Sequence, residues 1–353
     1  MNNRARVFQK RLSNSNLDGF ILSFAQNLSY LTGISNSEAY TLISKRAITY
    51  FTDPRFKDSS KKMLKGQATL KIFRGSVFGQ LAQTIIKQGL KRVGFEERHL
   101  PFAEYKKIKS LLKGRALLVP TYGVVEGLRE VKTPEEISNI RKALTITASA
   151  VHFIKDFLQP GLKELEIAAE LERFIRYQGA SGSSFDTIVA IGSNSAYPHH
   201  KPTLRKLKNN EILLIDMGVD YLGYKSDLTR VFFLGKINTL AFKIYNIIKE
   251  AQRLAIKEIR PGKSCTEIDA VARNYIASKG YAKNFTHSLG HGIGLNVHES
   301  PYITCGNNEI LKEGMVFTVE PAIYLPGKFG VRIEDMVLVV KNGCEVLSGS
   351  IDK

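Results

Sequence analysis

Residues 287–300, HSLGHGIGLNVHES, carry three of the chain's seven histidines, His287, His291 and His298, among the small residues Ser288, Gly290, Gly292 and Gly294. An imidazole can ligate a metal or carry a proton near neutral pH, although a lone histidine is by default a satisfied polar residue. His287 and His291 have the spacing of the HExxH zinc motif, but no glutamate follows His287. Three glycines also oppose a helix, at about 1 kcal/mol each. An extended or looped segment fits better: on a strand His287 and His291 share a face, and the glycines admit close approach of another group. The segment holds too few ligands for a metal site, so the remainder must lie elsewhere.

Four acids supply it. Asp216, Asp227, Glu320 and Glu334 sit in or beside apolar, strand-like runs such as ILLID and MVFTVE. A buried acid is costly unless it is paired or bound to metal. Salt bridges to Arg230 and Arg332 would satisfy a single acid; an internal repeat argues for more. PGLKELEIAAELERFIRYQGA (160–180) resembles PGKSCTEIDAVARNYIASKGY (261–281), with seven identities at a constant offset of 101 residues. Each copy reads as an amphipathic helix after a Pro-Gly turn, ending at a glycine cap. The parallel continues more loosely, setting His199 against His298, Asp216 against Glu320, and Asp227 against Glu334. Equivalent positions of a pseudo-twofold duplicate face one another. Four facing acids repel, and with the His291 imidazole they form an oxygen-rich site for two divalent cations.

The elements that position these groups fall into two halves, 1–127 and 128–353. In the first, residues 18–56 read as short strands, DGFILSF then AITYFTD, with SYLTGIS between them; RVGFEE (92–97) is a strand and FAEYKKIKSLLKG (102–114) a helix. This alternation predicts an α/β domain. Beyond the boundary, Thr133, Pro134 and Glu136 form the signature of a capped helix start.

At 353 residues and 43% hydrophobic content the chain can bury a sizeable core, and no apolar run is long enough to cross a membrane. The basic N-terminus leads into no signal-peptide core, and three widely spaced cysteines form no disulfide framework, which together predict a cytoplasmic protein. Of the net charge of +18, the first 127 residues hold +14 (22 Lys+Arg against 8 Asp+Glu). Without stacking motifs this reads as a lysine-rich solvated face, and nucleic acid is not an expected partner.

IDMGVDYLGYKSDLTR (215–230), HSLGHGIGLNVHE, TVEP (318–321) and RIED (332–335) resemble the pita-bread dinuclear metallopeptidases, and NLSYLTGIS and YFTDPRF resemble the N-terminal domain of prolidase and aminopeptidase P. The resemblance implies a creatinase/prolidase-like α/β domain followed by a pita-bread fold with an internal pseudo-twofold repeat. It implies that Asp216 binds one metal, that His291 and Glu320 bind the other, and that Asp227 and Glu334 bridge both. Manganese suits this ligand set, with cobalt or zinc as alternatives. His199 and His298 match substrate-facing, proton-handling histidines, and His287 a supporting substrate-side position. Glu320 is also the expected proton acceptor, and Arg332, beside Glu334, an expected substrate contact. The implied reaction is hydrolysis of an Xaa-Pro bond at a free N-terminus, in a homodimer. Methionine aminopeptidases lack the first domain, and creatinase lacks this ligand set. His200, after the motif histidine, departs from the small residue often found there, and its role stays open. The rival expectation is a catalytically inactive pita-bread module that binds nucleic acid or protein; retention of the five metal-binding side chains argues against it.

Overall fold

Apolar runs in the first third pair into a six-stranded sheet in the computed structural model, which describes residues 3–34 and 38–351. The chain divides into two units, Met1–Arg129 and Glu130–Lys353. In the first, β1 (Gly19–Leu22), β2 (Ala39–Ser44), β3 (Ile48–Thr52), β4 (Thr69–Ile72), β5 (Arg92–Glu96) and β6 (Leu117–Thr121) lie in the order β4-β3-β2-β1-β5-β6. Strand β1 is antiparallel to β2 and parallel to β5. Both faces of the central strands are covered, so GFIL and ITYFT are buried at every position and read as continuous apolar runs.

Helices α1 (Asn3–Ser13), α2 (Ala25–Thr32), α3 (Lys57–Leu64), α4 (Val77–Lys87) and α5 (Phe102–Leu112), with the single turn α6 (Glu126–Arg129), complete this unit. Helix α5 stops where Lys113 and Gly114 turn left-handed, at φ of 49° and 75°. One expectation is corrected. Of SYLTGIS (29–35), between the first two expected strands, residues 29–32 belong to helix α2, closed by Gly33 in the left-handed region at φ 76°. Leu28 and Leu31 bury one side of it, a helical spacing hidden in a short polar sequence; Ser35, at the end of that stretch, falls outside the described residues.

The second unit opens with α7 (Pro134–Phe157). Thr133 Oγ1 accepts the Glu136 N–H at 3.4 Å, and Glu136 Oε2 accepts the Thr133 N–H at 2.9 Å, the reciprocal cap expected there. Each copy of the repeat then contributes a helix and three antiparallel strands in the same order. The first has α8 (Glu164–Tyr177), β8 (Ile188–Ile191), β9 (Ile212–Met217) and β12 (Leu228–Phe233). The two-residue β7 (Gly182–Ser183) joins the hairpin β10 (Val219–Tyr221) and β11 (Tyr224–Lys225) in a separate small sheet. The second copy has α10 (Cys265–Ser278), β13 (Gly290–Gly292), β15 (Val316–Val319) and β18 (Asp335–Val340), extended by β14 (Glu299–Ile303) and β19 (Gly343–Val346). The hairpin β16 (Ala322–Leu325) and β17 (Phe329–Arg332) stands beside it.

Helix α9 (Thr239–Glu258) buries Ile244, Ile248, Ala251 and Ala255, a face of helical period, in the core it shares with α10 and both strand sets. From the same face Gln252, fully buried, donates from Nε2 to the carbonyls of Val319 (2.8 Å) and Ile333 (3.2 Å). Arg230 on β12 donates to the carbonyls of Glu334 (2.6 Å) and Ile351 (3.1 Å) and to Asp335 Oδ1 (3.0 Å), tying the first copy to the end of the second.

Candidate metal centre

Strand ends deliver the acids. Asp216 lies on β9 opposite Thr229 of β12, and Asp227 directly precedes β12. Glu320 follows β15, and Glu334 precedes β18. His291 occupies the middle of β13, at a register shift between His291 and Gly292. A side chain on Gly290 would strike the Thr318 carbonyl, and one on Gly292 the Ser300 carbonyl. The glycines therefore admit the close approach expected of them, here that of the neighbouring strands around His291.

All nine candidate residues, His199, Asp216, Asp227, His287, His291, His298, Glu320, Arg332 and Glu334, line one cavity of about 440 Å³. Ligating atoms of Asp227, His291 and Glu334 lie within 4.8 Å of one another. His291 Nε2 is 3.2 Å from Glu320 Oε1 and 3.6 Å from Asp227 Oδ2. His291 Nδ1–H points at the Gly292 carbonyl, 3.2 Å away, which leaves the Nε2 lone pair for the acids' side. A nitrogen lone pair facing two carboxylates needs a proton or a cation between them. Asp216 Oδ1, Asp227 Oδ1 and Glu334 Oε1 are buried and have no hydrogen-bond partner among the described residues. Buried polar atoms ordinarily find partners, and these three oxygens fit a divalent cation.

The charges agree with that fit. Burial, then Glu334, Asp216 and Glu320, raise Asp227 well above the usual carboxylate range. Glu334 is raised in the same way by burial and by Glu320 and Asp216. Asp216 is raised by burial against the opposing Arg332, whose Nη2 donates to Asp216 Oδ2 at 2.6 Å. For Glu320 burial also acts upward, but the His291 hydrogen bond and charge prevail and bring it to about 2. Without cations the cluster can accommodate its acids only by keeping protons.

The remaining residues divide by what their polar atoms meet. His298 has an exposed outer edge, and its ring centroid lies 4.1 Å from that of His291. Partial loss of hydration, then the His291 charge, lowers it to about 4, so it is neutral near pH 7. His199 is exposed on the loop before β9. His287 is already engaged: Nδ1–H points to the Ser288 carbonyl at 2.8 Å, and Nε2 faces the Tyr324 hydroxyl at 3.2 Å. Arg332 donates from Nε to Thr229 Oγ1 (2.9 Å), from Nη1 to Tyr324 Oη (2.6 Å), and from Nη2 to Asp216. His287 and Arg332 thus meet at Tyr324, and their polar atoms face protein.

The chain matches the metallopeptidase family M24 over residues 138–341 and the creatinase/prolidase N-terminal domain over residues 4–131. The chain belongs to metallopeptidase family M24. It is 33% identical to an Xaa-Pro dipeptidase of Pyrococcus horikoshii over 349 residues, 99% of this chain and 97% of the relative. Two solved structures are similar throughout. An Xaa-Pro dipeptidase from Bacillus anthracis has a TM-score of 0.95 at 35% identity, covering 99% of this chain and 98% of that one. An X-Pro aminopeptidase from Thermotoga maritima has a TM-score of 0.89 at 35% identity, with 97% of each chain covered. The fold is accordingly a creatinase-like N-terminal domain followed by the M24 pita-bread domain, and the chain is a peptidase. Membership of M24 implies divalent metal ions. The expectation of an inactive binding module finds no support among these relatives.

Supporting residues were not apparent from the sequence. Thr229 Oγ1 donates to Glu334 Oε2 at 2.9 Å while accepting from Arg332. Thr318 Oγ1 accepts the His291 N–H at 3.1 Å and donates to Glu320 Oε1 at 3.1 Å. Thr229 on β12 and Thr318 on β15 each stand two positions from an acid just beyond the strand end, a spacing that is a usable signal. Tyr324 and Gln252 carry no such mark, because they reach the site from other elements.

Proposed function

We propose that the chain hydrolyses the peptide bond between an N-terminal residue with a free amine and a following proline, using two divalent cations, Mn²⁺ in the cell. The observation that carries this reading is the set of three buried, unpartnered carboxylate oxygens beside the His291 nitrogen, on the wall of a cavity of substrate size. Asp216, Asp227, His291, Glu320 and Glu334 would hold the cations, with Asp227 and Glu334 shared between them. Two cations held there supply a water of lowered pKa and polarise the scissile carbonyl.

The residues of this chain do the rest. Glu320, which lines the cavity beside His291, accepts the proton of the attacking water. His298, neutral and facing the cavity, donates to the carbonyl oxygen as negative charge grows there. His199 flanks the proline ring. Arg332 holds Asp216 in place and borders the substrate, and His287 supports Tyr324 and Arg332 from behind. A proline nitrogen carries no hydrogen, so the site need not satisfy a scissile N–H, and the ring fills a slot that a linear residue leaves partly empty. That difference is worth about 1–3 kcal/mol. The substrate's free α-amine would lie on the side of the cavity that holds the cations.

The catalytic work is assigned to residues 128–353. We place the protein in the cytoplasm as a homodimer; three free cysteines suit a reducing compartment, and no described helix is long and apolar enough to cross a membrane. The test compares kcat/KM for Ala-Pro, Ala-Pro-Ala, Met-Ala-Ala and acetyl-Ala-Pro-Ala with Mn²⁺. Both proline peptides with free amines should be cut, and their ratio separates dipeptidase from aminopeptidase. Equal or faster cleavage of Met-Ala-Ala removes the proline reading, and cleavage of the acetylated peptide removes the exopeptidase reading.

A further inference from the structure

Glu164 is the first residue of α8 and is completely buried. A buried carboxylate needs a compensating set of donors, and this one has five. Oε1 accepts the Ile191 N–H (2.8 Å) and Asn194 Nδ2 (2.9 Å); Oε2 accepts the Thr203 N–H (2.8 Å), Thr203 Oγ1 (2.6 Å) and His200 Nε2 (2.9 Å). Every donor belongs to residues 191–203, the loop that carries His199. His200 N–H closes a turn onto the Tyr197 carbonyl at 3.2 Å, with His199 inside it. Gly330 N–H donates to Ser195 Oγ at 2.8 Å, pinning the same loop from β17.

The duplication shows that Glu164 is not a requirement of the helix start. The equivalent position of the second copy is Cys265, whose thiol burial pushes up to about 12. In both copies the residue ahead of the helix gives its N–H to a different glutamate: Lys163 to Glu166 Oε2 (2.9 Å) and Ser264 to Glu267 Oε2 (2.8 Å). Glu164 is therefore a charge buried in one copy only, and its bonds go to the loop of that copy. His199 itself is exposed and lines the cavity.

We infer that Glu164 and His200 are a positioning pair that fixes the 191–203 loop and so holds His199 against the substrate. This rests on the proposed Xaa-Pro reaction for its kinetic part. It also accounts for His200, which lines the same cavity and gives Glu164 a ring donor. A site built on a loop is as precise as the shell that holds the loop.

The experiment uses the full chain, loaded with Mn²⁺, in five forms: wild type, Glu164→Gln, His200→Gln, His199→Ala, and His200→Gln with His199→Ala. Glu164→Gln puts an NH₂ among donors. His200→Gln leaves four of the five bonds in place and carries the test if Glu164→Gln does not fold. Three quantities are read: bound metal, hydrogen exchange of peptides spanning 191–203, and kcat and KM for Ala-Pro. We expect wild-type metal content, exchange at least 10-fold faster confined to 191–203, and KM raised about 10-fold with kcat within 3-fold. We also expect the double variant to match His199→Ala alone, because a positioning residue has nothing left to position. Unchanged exchange in 191–203, additive losses in the double variant, or loss of metal in His200→Gln each overturns the inference. If wild type cuts no Xaa-Pro peptide, the reaction reading falls while the exchange measurement still decides whether the pair holds the loop.

Discussion

Removing the cations should cost more stability the higher the pH. In the cation-free chain, burial and neighbouring acids keep Asp227 and Glu334 protonated well above the ordinary carboxylate range. The folded state then binds protons that the unfolded state has released by about pH 5. Stability due to these groups is fully present below their unfolded values and is lost as pH rises toward their folded values. Cations displace the same protons, so ion binding strengthens over the same window. One displaced proton is worth about 1.4 kcal/mol per pH unit, and two about 2.7. For a unit of the size of Glu130–Lys353, 1 kcal/mol moves Tm by about 2–4 °C. The gap between melting with Mn²⁺ and melting with EDTA should widen by about 3–6 °C per pH unit for one proton, and by twice that for two. His287 and His298 are shifted downward, so below about 6.5 they bind fewer protons folded than unfolded and act in the opposite sense. Both are present in each sample, whereas His291, raised against its burial by Glu320, gives up its proton to a cation and widens the gap in the same sense as the acids. Glu320, at about 2, is ionised throughout. Calorimetry at pH 5.5, 6.5 and 7.5, with excess Mn²⁺ or EDTA, measures the gap. A gap that stays level or narrows refutes the reasoning.

Asp227→Asn removes one negative charge at the position proposed to be shared by two cations, and should lose activity and at least one ion; two tightly held ions after dialysis, with wild-type turnover, would rule out the shared position. His298→Ala should keep both ions and lose about 2–4 kcal/mol of transition-state stabilisation, read from kcat; loss of metal would make His298 a ligand. Gln252→Leu strips a donor from the carbonyls preceding Glu320 and Glu334, and should cost about 1–3 kcal/mol in urea unfolding and weaken Mn²⁺ binding; unchanged metal affinity would separate Gln252 from the site. Binding of duplex DNA to the basic first unit should vanish near physiological salt; sub-micromolar affinity there would establish a nucleic-acid partner.

What the sequence made legible was repetition and spacing. The 101-residue offset between the two Pro-Gly helices points to α8 and α10, and leads on to the paired acids of β9, β12, β15 and β18. The capped start of α7 is equally plain, because Thr133, Pro134 and Glu136 act within one turn. Helix α2 was hidden, since eight residues, half of them polar, ending at Gly33 give little periodicity. Also hidden was the reach of Tyr324, Gln252 and Glu164, whose partners lie on other elements and are backbone atoms as often as side chains. His287 and Arg332 illustrate the same limit: residue type announces polar chemistry, but only the fold tells which polar atoms are already taken.

The grip of Arg230 on Glu334 and Ile351 has a consequence for how the protein comes into being. Two of the candidate ligands, Asp216 and Asp227, emerge from the ribosome more than a hundred residues before Glu334, and Arg230 waits longer still for its last acceptor. During synthesis, at roughly 5–20 residues per second, the nascent first copy exposes acids that still lack His291 and the opposing glutamates. It can neither select an ion nor be stabilised by one. Metal capture therefore follows the synthesis of Glu334, and the ion acquired depends on which cations are available when β18 docks.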